Sequence, residues 1–446
     1  MIARTAKALL MHEVHALRAR LESVKPFSMH MPMVMAAAIS PTAMTAVEEH
    51  VSACSQRLRD HISDYVNWLL SEEGKSAPPA IAQRKYTSLR LLFASMLSHF
   101  EIFADTITQR SEHDYGVWLS GLDVLAEEAL TFPGAPYQVP PVICYLDRAI
   151  GGAIRRYHTR LPGGANNPVT IIRVPRERMI GSGIAASIVH ECGHQVAALL
   201  KMNEPLKAEL KSRSAEISDD PQVVAAFIRW LPEIVSDFWS VGRLGIAASL
   251  GVMTVVSLPP RYVIRIDPNG THPVPWIRVK LSAAMGNELY PDLQWETLSA
   301  VWEQLYPLHT TDEQCSERMR RMERALPVVA QLIADHCPNM LAGRSLRDVL
   351  PARTRRPADL RRRFEAWEKG GRKVLDEEPT AVFAITGQAK FDGRLPTQEE
   401  SRFLNQCLRR WALRRALDTG AKCAVTLRAS SHARSLNLVR KGVEYG

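Results

Sequence analysis

Apolar positions recur at helical spacing along most of this chain. Ser40-Pro41 places a capping serine before a proline that suits the first turn of a helix, and the apolar repeat after it continues to Gly74. Similar repeats cover about residues 80–110 and 114–131. The N-terminal part is therefore predicted to be a layer of helices, and the pattern beyond residue 300 is also mainly helical.

Two short runs of β-forming residues interrupt the helical pattern, at 142–146 and at 169–175. The second run follows Pro168 and ends in Pro175. Because proline cannot donate a hydrogen bond to a ladder, these flanks favour an edge strand over a central one. We therefore predict a small sheet with residues 169–175 at its edge.

These elements together predict an α+β fold that is predominantly helical. Turn clusters and the distribution of charge divide the chain into regions. The regions are an N-terminal helical region at 1–135, a core that contains the sheet at 136–300, a helical region at 301–375 and a basic C-terminal region at 376–446.

The core contains an H-E-x-x-H motif in an apolar stretch that is compatible with a helix. His190 and His194 are four residues apart, so their imidazoles lie on one helix face and can converge on one zinc ion. Glu191 lies beside them and can act as a general base towards a water molecule. A metal would also compensate the burial of these polar side chains, which is costly without partners.

A second acidic pair can complete such a site. Glu233 and Asp237 are also four residues apart, in an amphipathic stretch from about residue 221 to 241. A catalytic zinc ion takes three protein ligands, so Glu233 is predicted as the third ligand. Asp237 is predicted to orient a ligand histidine from outside the first coordination shell. Other acidic residues stay open as alternative third ligands: Glu204, Glu209 and Glu216.

H-E-x-x-H followed by E-x-x-x-D resembles the gluzincin clan of zinc metallopeptidases, which includes thermolysin. The resemblance implies a zincin-like core over roughly residues 140–290 and one zinc ion bound by His190, His194 and Glu233. It also implies that Glu191 is the general base and that Asp237 supports a ligand from the second shell. The metzincin pattern is excluded, because Ala197 and Leu200 stand where that pattern needs glycine and histidine.

A peptidase also needs a donor for the oxyanion that forms during hydrolysis. Tyr262, His272 and Arg278 are candidates because they follow the third ligand, and His272 is the prediction. His272-Pro273 with Arg278 is similar to an H-P-x-x-x-x-R element of the CAAX-prenyl protease family. Residues 169–175 are expected to line the substrate cleft, since extended peptides add to sheet edges. A small sheet with no ligand role is the alternative.

Composition is that of an ordinary globular protein, with 46% hydrophobic and 23% charged residues among 446. No secretory signal or membrane span is predicted, because charged residues interrupt residues 1–25 and prolines break the apolar run at 26–47. The seven cysteines are odd in number and form no C-x-x-C pair. This pattern favours a reducing compartment, so a cytoplasmic location is predicted.

The net charge of +9 comes from an excess of Lys and Arg after residue 350. This excess could bind an acidic partner or nucleic acid, but no nucleic-acid fold signature accompanies it, and a solvated surface is favoured. The basic residues form two groups: Arg353, Arg355, Arg356, Arg361, Arg362 and Arg363, and then Arg409, Arg410, Arg414 and Arg415.

Three classes of function follow from these features. A zinc metallopeptidase that cleaves protein or peptide substrates is favoured, because five positions fit one mechanism. An inactive zinc-binding interaction protein is the second class, but the presence of Glu191 argues against it, since a structural site needs no base. A nucleic-acid or assembly protein that uses the basic C-terminal region is the third.

Overall fold

The computed structural model describes residues 2–148, 151–176, 181–310, 312–370, 374 and 377–442, the last of these with the backbone alone after 423. The described part of the chain is predominantly helical with a small sheet, as predicted, and this sheet has three strands. It divides into two compact units. The first comprises Met1–Gly121, Arg160–Pro168 and Cys407–Gly446, and the second comprises Leu122–Thr159 and Val169–Gln406.

Helices form the first unit. They are α1 (Ile2–Glu22), α2 (Phe27–His30), α3 (Pro41–Leu70), α4 (Glu72–Ser76), α5 (Pro79–Ile107), the first half of α6 (His113–Ala129) and the end of α20 (Thr397–Gly442). The predicted N-terminus of α3 is confirmed, because Ser40 Oγ accepts a hydrogen bond from the Ala43 amide at 3.2 Å. The predicted end at Gly74 is wrong, because Ser71 caps a new helix by accepting from the Gly74 amide.

The second unit contains the sheet and the helix with the predicted motif. After the second half of α6, its helices are α7 (Gly183–Leu199), α8 (Asn203–Ser212), α9 (Ser214–Ile217), α10 (Pro221–Leu244), α11 (Ile246–Val256), α12 (Pro260–Val263), α13 (Pro275–Leu289), α14 (Gln294–Leu305), α15 (Glu313–Asp335), α16 (Leu346–Val349), α17 (Ala352–Arg355), α18 (Pro357–Glu368), α19 (Pro379–Phe391) and the start of α20. No helix among the described residues is long and apolar enough to cross a bilayer.

The sheet has the order β1 (Val142–Asp147), β3 (Thr170–Pro175), β2 (Ala153–Arg155). Strand β3 pairs in parallel with β1 and antiparallel with β2. The prediction that residues 169–175 form an edge strand is therefore wrong. Pro175 is the last residue of β3, opposite Asp147, so its missing amide hydrogen costs little. Strand β2 has three residues, too few to show an alternating pattern.

Helix α7 is fixed on one side to α10 and on the other to the sheet. Gly193 lies so close to α10 that a Cβ atom there would be 2.7 Å from the Cα atom of Ser236. On the sheet side, Gln195 Oε1 accepts hydrogen bonds from the Tyr157 amide at 2.9 Å and from Thr170 Oγ1 at 3.3 Å. These contacts set both the position and the rotation of the helix that carries H-E-x-x-H.

Candidate metal centre

Helices α7 and α10 bring the three predicted ligands together. The Nε2 atom of His190 lies 3.2 Å from Oε2 of Glu233, and Nε2 of His194 lies 3.4 Å from Oε1 of Glu233. The ligand atoms of all three residues lie within 4.8 Å of one another. Donors bound tetrahedrally to zinc at about 2.0–2.1 Å are separated by about 3.3 Å. The donor types and separations therefore fit a zinc ion with three protein ligands.

Asp237 and Arg278 support this group from the side away from the ligand atoms. The Nδ1 atom of His190 donates to Asp237 Oδ1 at 2.7 Å, which leaves Nε2 to face Glu233. Arg278 donates to the same carboxylate from Nε at 2.7 Å and from Nη2 at 2.9 Å. Asp237 therefore orients His190, and Arg278 in turn orients Asp237.

The charges in this group perturb the pKa values of its members. Burial disfavours the charged imidazole, but Asp237 and Glu233 outweigh it and raise the pKa of His190 to about 9. Burial likewise opposes ionisation of Asp237, but Arg278 and His190 lower its pKa to about 2. The two histidines hold the pKa of Glu233 far below its usual range, against the effect of burial. Without metal, the site therefore holds ionised carboxylates and a proton on His190.

Glu191 lies in the same cavity but does not belong to the ligand cluster. Its side chain is buried, and burial raises the pKa of its carboxyl group. The backbone at Gly152 approaches it so closely that a Cβ atom there would be 2.8 Å from Glu191 Oε1. A carboxylate with a raised pKa in a cavity is suited to accept and return a proton near neutral pH.

Two of the three candidate oxyanion donors lie at the site. His272 is 61% exposed at its rim, with Nε2 at 3.3 Å from Glu233 Oε2. Arg278 lies behind Glu233 and contacts Asp237 with two nitrogen atoms. Tyr262 is half-exposed on α12, where Arg261 lies over its ring, and it does not line the cavity.

The cavity in front of these groups has a volume of about 260 Å³. Its polar wall comes from α7, α10, α13 and the segment before α13, and α11 supplies an apolar wall. It is lined by Gly151, Gly152, Ala186, Ser187, His190, Glu191, Glu233, Asp237, Gly251, Val252, Val255, His272 and Arg278. A cavity that combines apolar walls with a few convergent charged groups is typical of a ligand site.

The alternative third ligands have other partners. Glu204 pairs with Lys207 at 2.7 Å, Glu209 accepts from His336 Nδ1 at 2.6 Å, and Glu216 pairs with Arg213 at 2.6 Å. Among the described residues, the carboxylate that lies with His190 and His194 in a ligand cluster is that of Glu233.

Three arginines of the first basic group, at 353–363, are engaged within the chain. Arg355 is buried and donates to the Arg243 carbonyl at 2.7 Å. Arg361 pairs with Asp392 at 3.0 Å, and Arg363 pairs with Glu377 at 2.5 Å. These arginines therefore stabilise the fold and do not form one open basic surface.

Sequence reasoning missed two features of the site. Gly152 approaches Glu191 although the two residues lie in segments that are distant in the chain, and a glycine alone is too common to predict this approach. Arg278 was considered as an oxyanion donor, whereas its contact with Asp237 makes it a positioning residue. The H-P-x-x-x-x-R spacing was the available signal for placing this arginine near the third ligand.

No protein-family model, curated protein or solved structure matches this chain in comparisons of its sequence and fold. The assignment of a function therefore depends on the contacts of the site itself.

Proposed function

We propose that this protein is a zinc-dependent metallopeptidase of the gluzincin type, with a zincin-like core in its second unit. One observation carries the proposal. His190 and His194 of one helix and Glu233 of another place their donor atoms within 4.8 Å of one another, and Glu191 lies in the adjoining cavity. A structural site would need the ligands but not a buried carboxylate beside an open cavity.

Each side chain has a role in hydrolysis of a peptide bond. When bound, a zinc ion would lower the pKa of a coordinated water towards about 7 and polarise the scissile carbonyl. Glu191 would take the proton of the attacking water and return it to the leaving amine. His272, exposed at the rim, would donate to the oxyanion. Asp237 holds His190 in the required tautomer through its 2.7 Å hydrogen bond.

The substrate would be a protein or peptide in extended conformation. Strand β2 is an outer strand of the sheet, and Gly152, the residue directly before it, lines the same cavity as Glu191. A peptide that added to β2 as a further strand would therefore run past the catalytic carboxylate. Residues 153–155 therefore replace residues 169–175 as the proposed edge for peptide binding, because residues 169–175 lie in the centre of the sheet.

The decisive experiment compares the parent protein with Glu191→Gln. The variant keeps the shape of the side chain but cannot accept the proton. We expect an unchanged zinc content and a rate of peptide cleavage lower by about 10²–10⁴-fold. Glu204→Gln, an exposed change on α8, is the matched control and should cleave like the parent. Equal cleavage by Glu191→Gln and the parent would falsify the general-base role.

The same experiment also bears on the two other classes of function. Stoichiometric zinc without cleavage of a diverse peptide library would favour the inactive zinc-binding protein. Chelator-insensitive cleavage, or a protein without zinc, would exclude the metallopeptidase. The internal pairing of Arg355, Arg361 and Arg363 argues against the first basic group as the surface for a nucleic-acid or acidic partner, so that proposal depends on the region at 376–446. A cytoplasmic location is a proposal that depends on cysteine usage.

A further inference from the structure

A second group of metal-binding side chains lies in the first unit. His50 and Cys54 are four residues apart on α3, and His99 faces them from α5. The Nε2 atom of His50 lies 3.2 Å from Nδ1 of His99, and Cys54 Sγ lies 3.7 Å from each of these two nitrogens. All three donor atoms therefore point to one place between the helices.

The separations of these atoms match the edges of a zinc coordination tetrahedron. Bonds of about 2.0–2.1 Å to nitrogen and about 2.3 Å to sulfur place two nitrogens about 3.3 Å apart and a nitrogen and sulfur about 3.5 Å apart. The observed triangle of 3.2, 3.7 and 3.7 Å agrees with these values within about 0.2 Å. A zinc ion could enter it with little movement of the side chains.

The surroundings orient the donors towards this position. His99 Nε2 contacts the carbonyl oxygen of Pro162. Because a carbonyl only accepts, Nε2 carries the proton, and the lone pair on Nδ1 of the neutral ring faces His50 and Cys54. Arg57 Nη2 donates to Cys54 Sγ at 3.3 Å. Such contacts around a metal site fix the tautomer of a histidine and stabilise a thiolate.

We propose that His50, Cys54 and His99 bind a second zinc ion, separate from the one assigned to H-E-x-x-H. Cys54 and His99 are 3% and 2% exposed, so the ion would be bound by largely buried donors. Three protein ligands leave the fourth tetrahedral position to a water molecule. The ion would join α3 to α5, and through His99 it would also fix the segment at Pro162. Binding would release the thiol proton of Cys54 to solvent.

The site is independent of the proposed peptidase centre. It lies in the other unit, shares no residue with that centre and contains a thiol, whereas the His190, His194 and Glu233 cluster contains none. This difference gives a spectroscopic distinction. Cobalt(II) bound by a thiolate has a charge-transfer absorption in the near ultraviolet, and cobalt(II) bound by imidazole and carboxylate alone does not.

The test uses the full chain, first as purified and then after exchange of its metal for cobalt(II). We expect two zinc ions per chain, and a thiolate-to-cobalt absorption after exchange. Cys54→Ser should reduce the metal content from two ions to one and abolish this absorption. Cys407→Ala, which removes a different buried cysteine of the same unit, should change neither quantity. His194→Ala should lose one ion but keep the absorption, because it affects the other site.

Two results would overturn the inference. One is an unmodified chain that shows no thiolate-to-cobalt absorption, a result that does not depend on the folding of any variant. The other is Cys54→Ser with the same metal content and absorption as the parent. Copper bound at full occupancy would contradict the identification of the ion as zinc. None of these outcomes depends on peptide cleavage.

Discussion

Asp237 and Arg278 form a two-point ion pair, with Arg278 Nε at 2.7 Å from Oδ2 and Nη2 at 2.9 Å from Oδ1. The same Oδ1 atom accepts from His190 Nδ1 at 2.7 Å. Arg278 thus acts on the proposed zinc ligand through Asp237. The planar guanidinium suits this arrangement, because two parallel hydrogen bonds fix the plane of the carboxylate.

Arg278→Lys should weaken zinc binding while the chain stays folded. Lysine keeps the charge but cannot contact both carboxylate oxygens in one plane, so Asp237 would lose its fixed orientation. We expect a loss of about 10–100-fold in zinc affinity, measured by competition with a chromogenic chelator. Arg394→Lys is the control, since Arg394 pairs with Glu365 on α18 and with no residue of the site. An unchanged affinity in Arg278→Lys would remove Arg278 from the metal centre.

Asp237→Ala should have a larger effect on stability than Arg278→Lys. It removes the partner of a buried guanidinium, and breaking a buried ion pair costs about 3–5 kcal/mol. We expect a lower Tm in the metal-free protein, together with weaker zinc binding. Thermal unfolding with and without a chelator separates the two effects. A variant as stable as the parent in the metal-free state would contradict the burial argument.

Gly193→Ala should force α7 and α10 apart. The added Cβ atom would lie 2.7 Å from Ser236 Cα and 3.0 Å from its carbonyl oxygen, and backbone atoms cannot move aside as a flexible side chain can. Overpacking of this kind costs about 1–3 kcal/mol. Because the two histidines and Glu233 lie on these separate helices, zinc affinity should fall together with the Tm.

Gly183→Ala provides the matched control for that change. Gly183 begins the same helix, and a Cβ atom there would have no neighbour within 4 Å. Alanine is a better helix former than glycine, so the Tm should be unchanged or slightly higher. Equal behaviour of the two variants would show that the close approach at Gly193 does not determine the ligand geometry.

Gly152→Ala should impair cleavage without loss of zinc. Its Cβ atom would be 2.8 Å from Glu191 Oε1, so the carboxylate would have to turn away from its position in the cavity. We expect a lower kcat with unchanged metal content and Tm, since a side-chain end can move at little cost. Gly151→Ala adds the same atom at a position with no neighbour within 4 Å. A similar loss of kcat in both variants would indicate a general effect of the loop.

Zinc affinity at the H-E-x-x-H site should rise with pH up to about 9. In the metal-free protein the pKa of His190 is raised to about 9, so zinc must displace a proton from it at neutral pH. From this group alone, affinity should increase about tenfold per pH unit below that pKa and level off above it. Calorimetry in buffers of different ionisation enthalpy counts the protons released. Binding without proton release at neutral pH would contradict the raised pKa.

The raised pKa of His190 should make the metal-free protein less stable as the pH rises, whereas zinc affinity increases. The folded-state pKa of His190 lies above its ordinary value of 6.5, so the proton contributes stability below pH 6.5. This contribution is lost as the pH rises through about 9. The Tm of the metal-free protein should therefore decrease over that interval, and zinc should suppress the decrease by occupying the place of the proton.

Local spacing explains what the sequence could predict. The pairs His190 with His194 and Glu233 with Asp237 share helix faces by periodicity alone, and the helix predicted at about 221–241 is confirmed at Pro221–Leu244. The cap of α3 at Ser40 is likewise local. Each of these features depends on residues within one or two helical turns.

Contacts between distant segments explain what the sequence could not predict. The central position of β3 depends on pairing with β2, which is too short to show a pattern. The His50 and Cys54 pair has the spacing of metal ligands, but His99 is brought to it only by the packing of α3 against α5. Gly152 reaches Glu191 through a loop whose path no local signal encodes.

Gln195 follows His194 directly, and its side-chain oxygen accepts hydrogen bonds from Tyr157 and Thr170, beside two strands of the sheet. The helix that carries the histidines therefore cannot turn about its axis without breaking its attachment to those strands. A peptide that paired with β2 would therefore lie in a fixed position relative to the proposed zinc ion, because folding of the chain already sets the distance between β2 and the two histidines. In this arrangement, selectivity between substrates would come from the side chains that fit the apolar wall of α11.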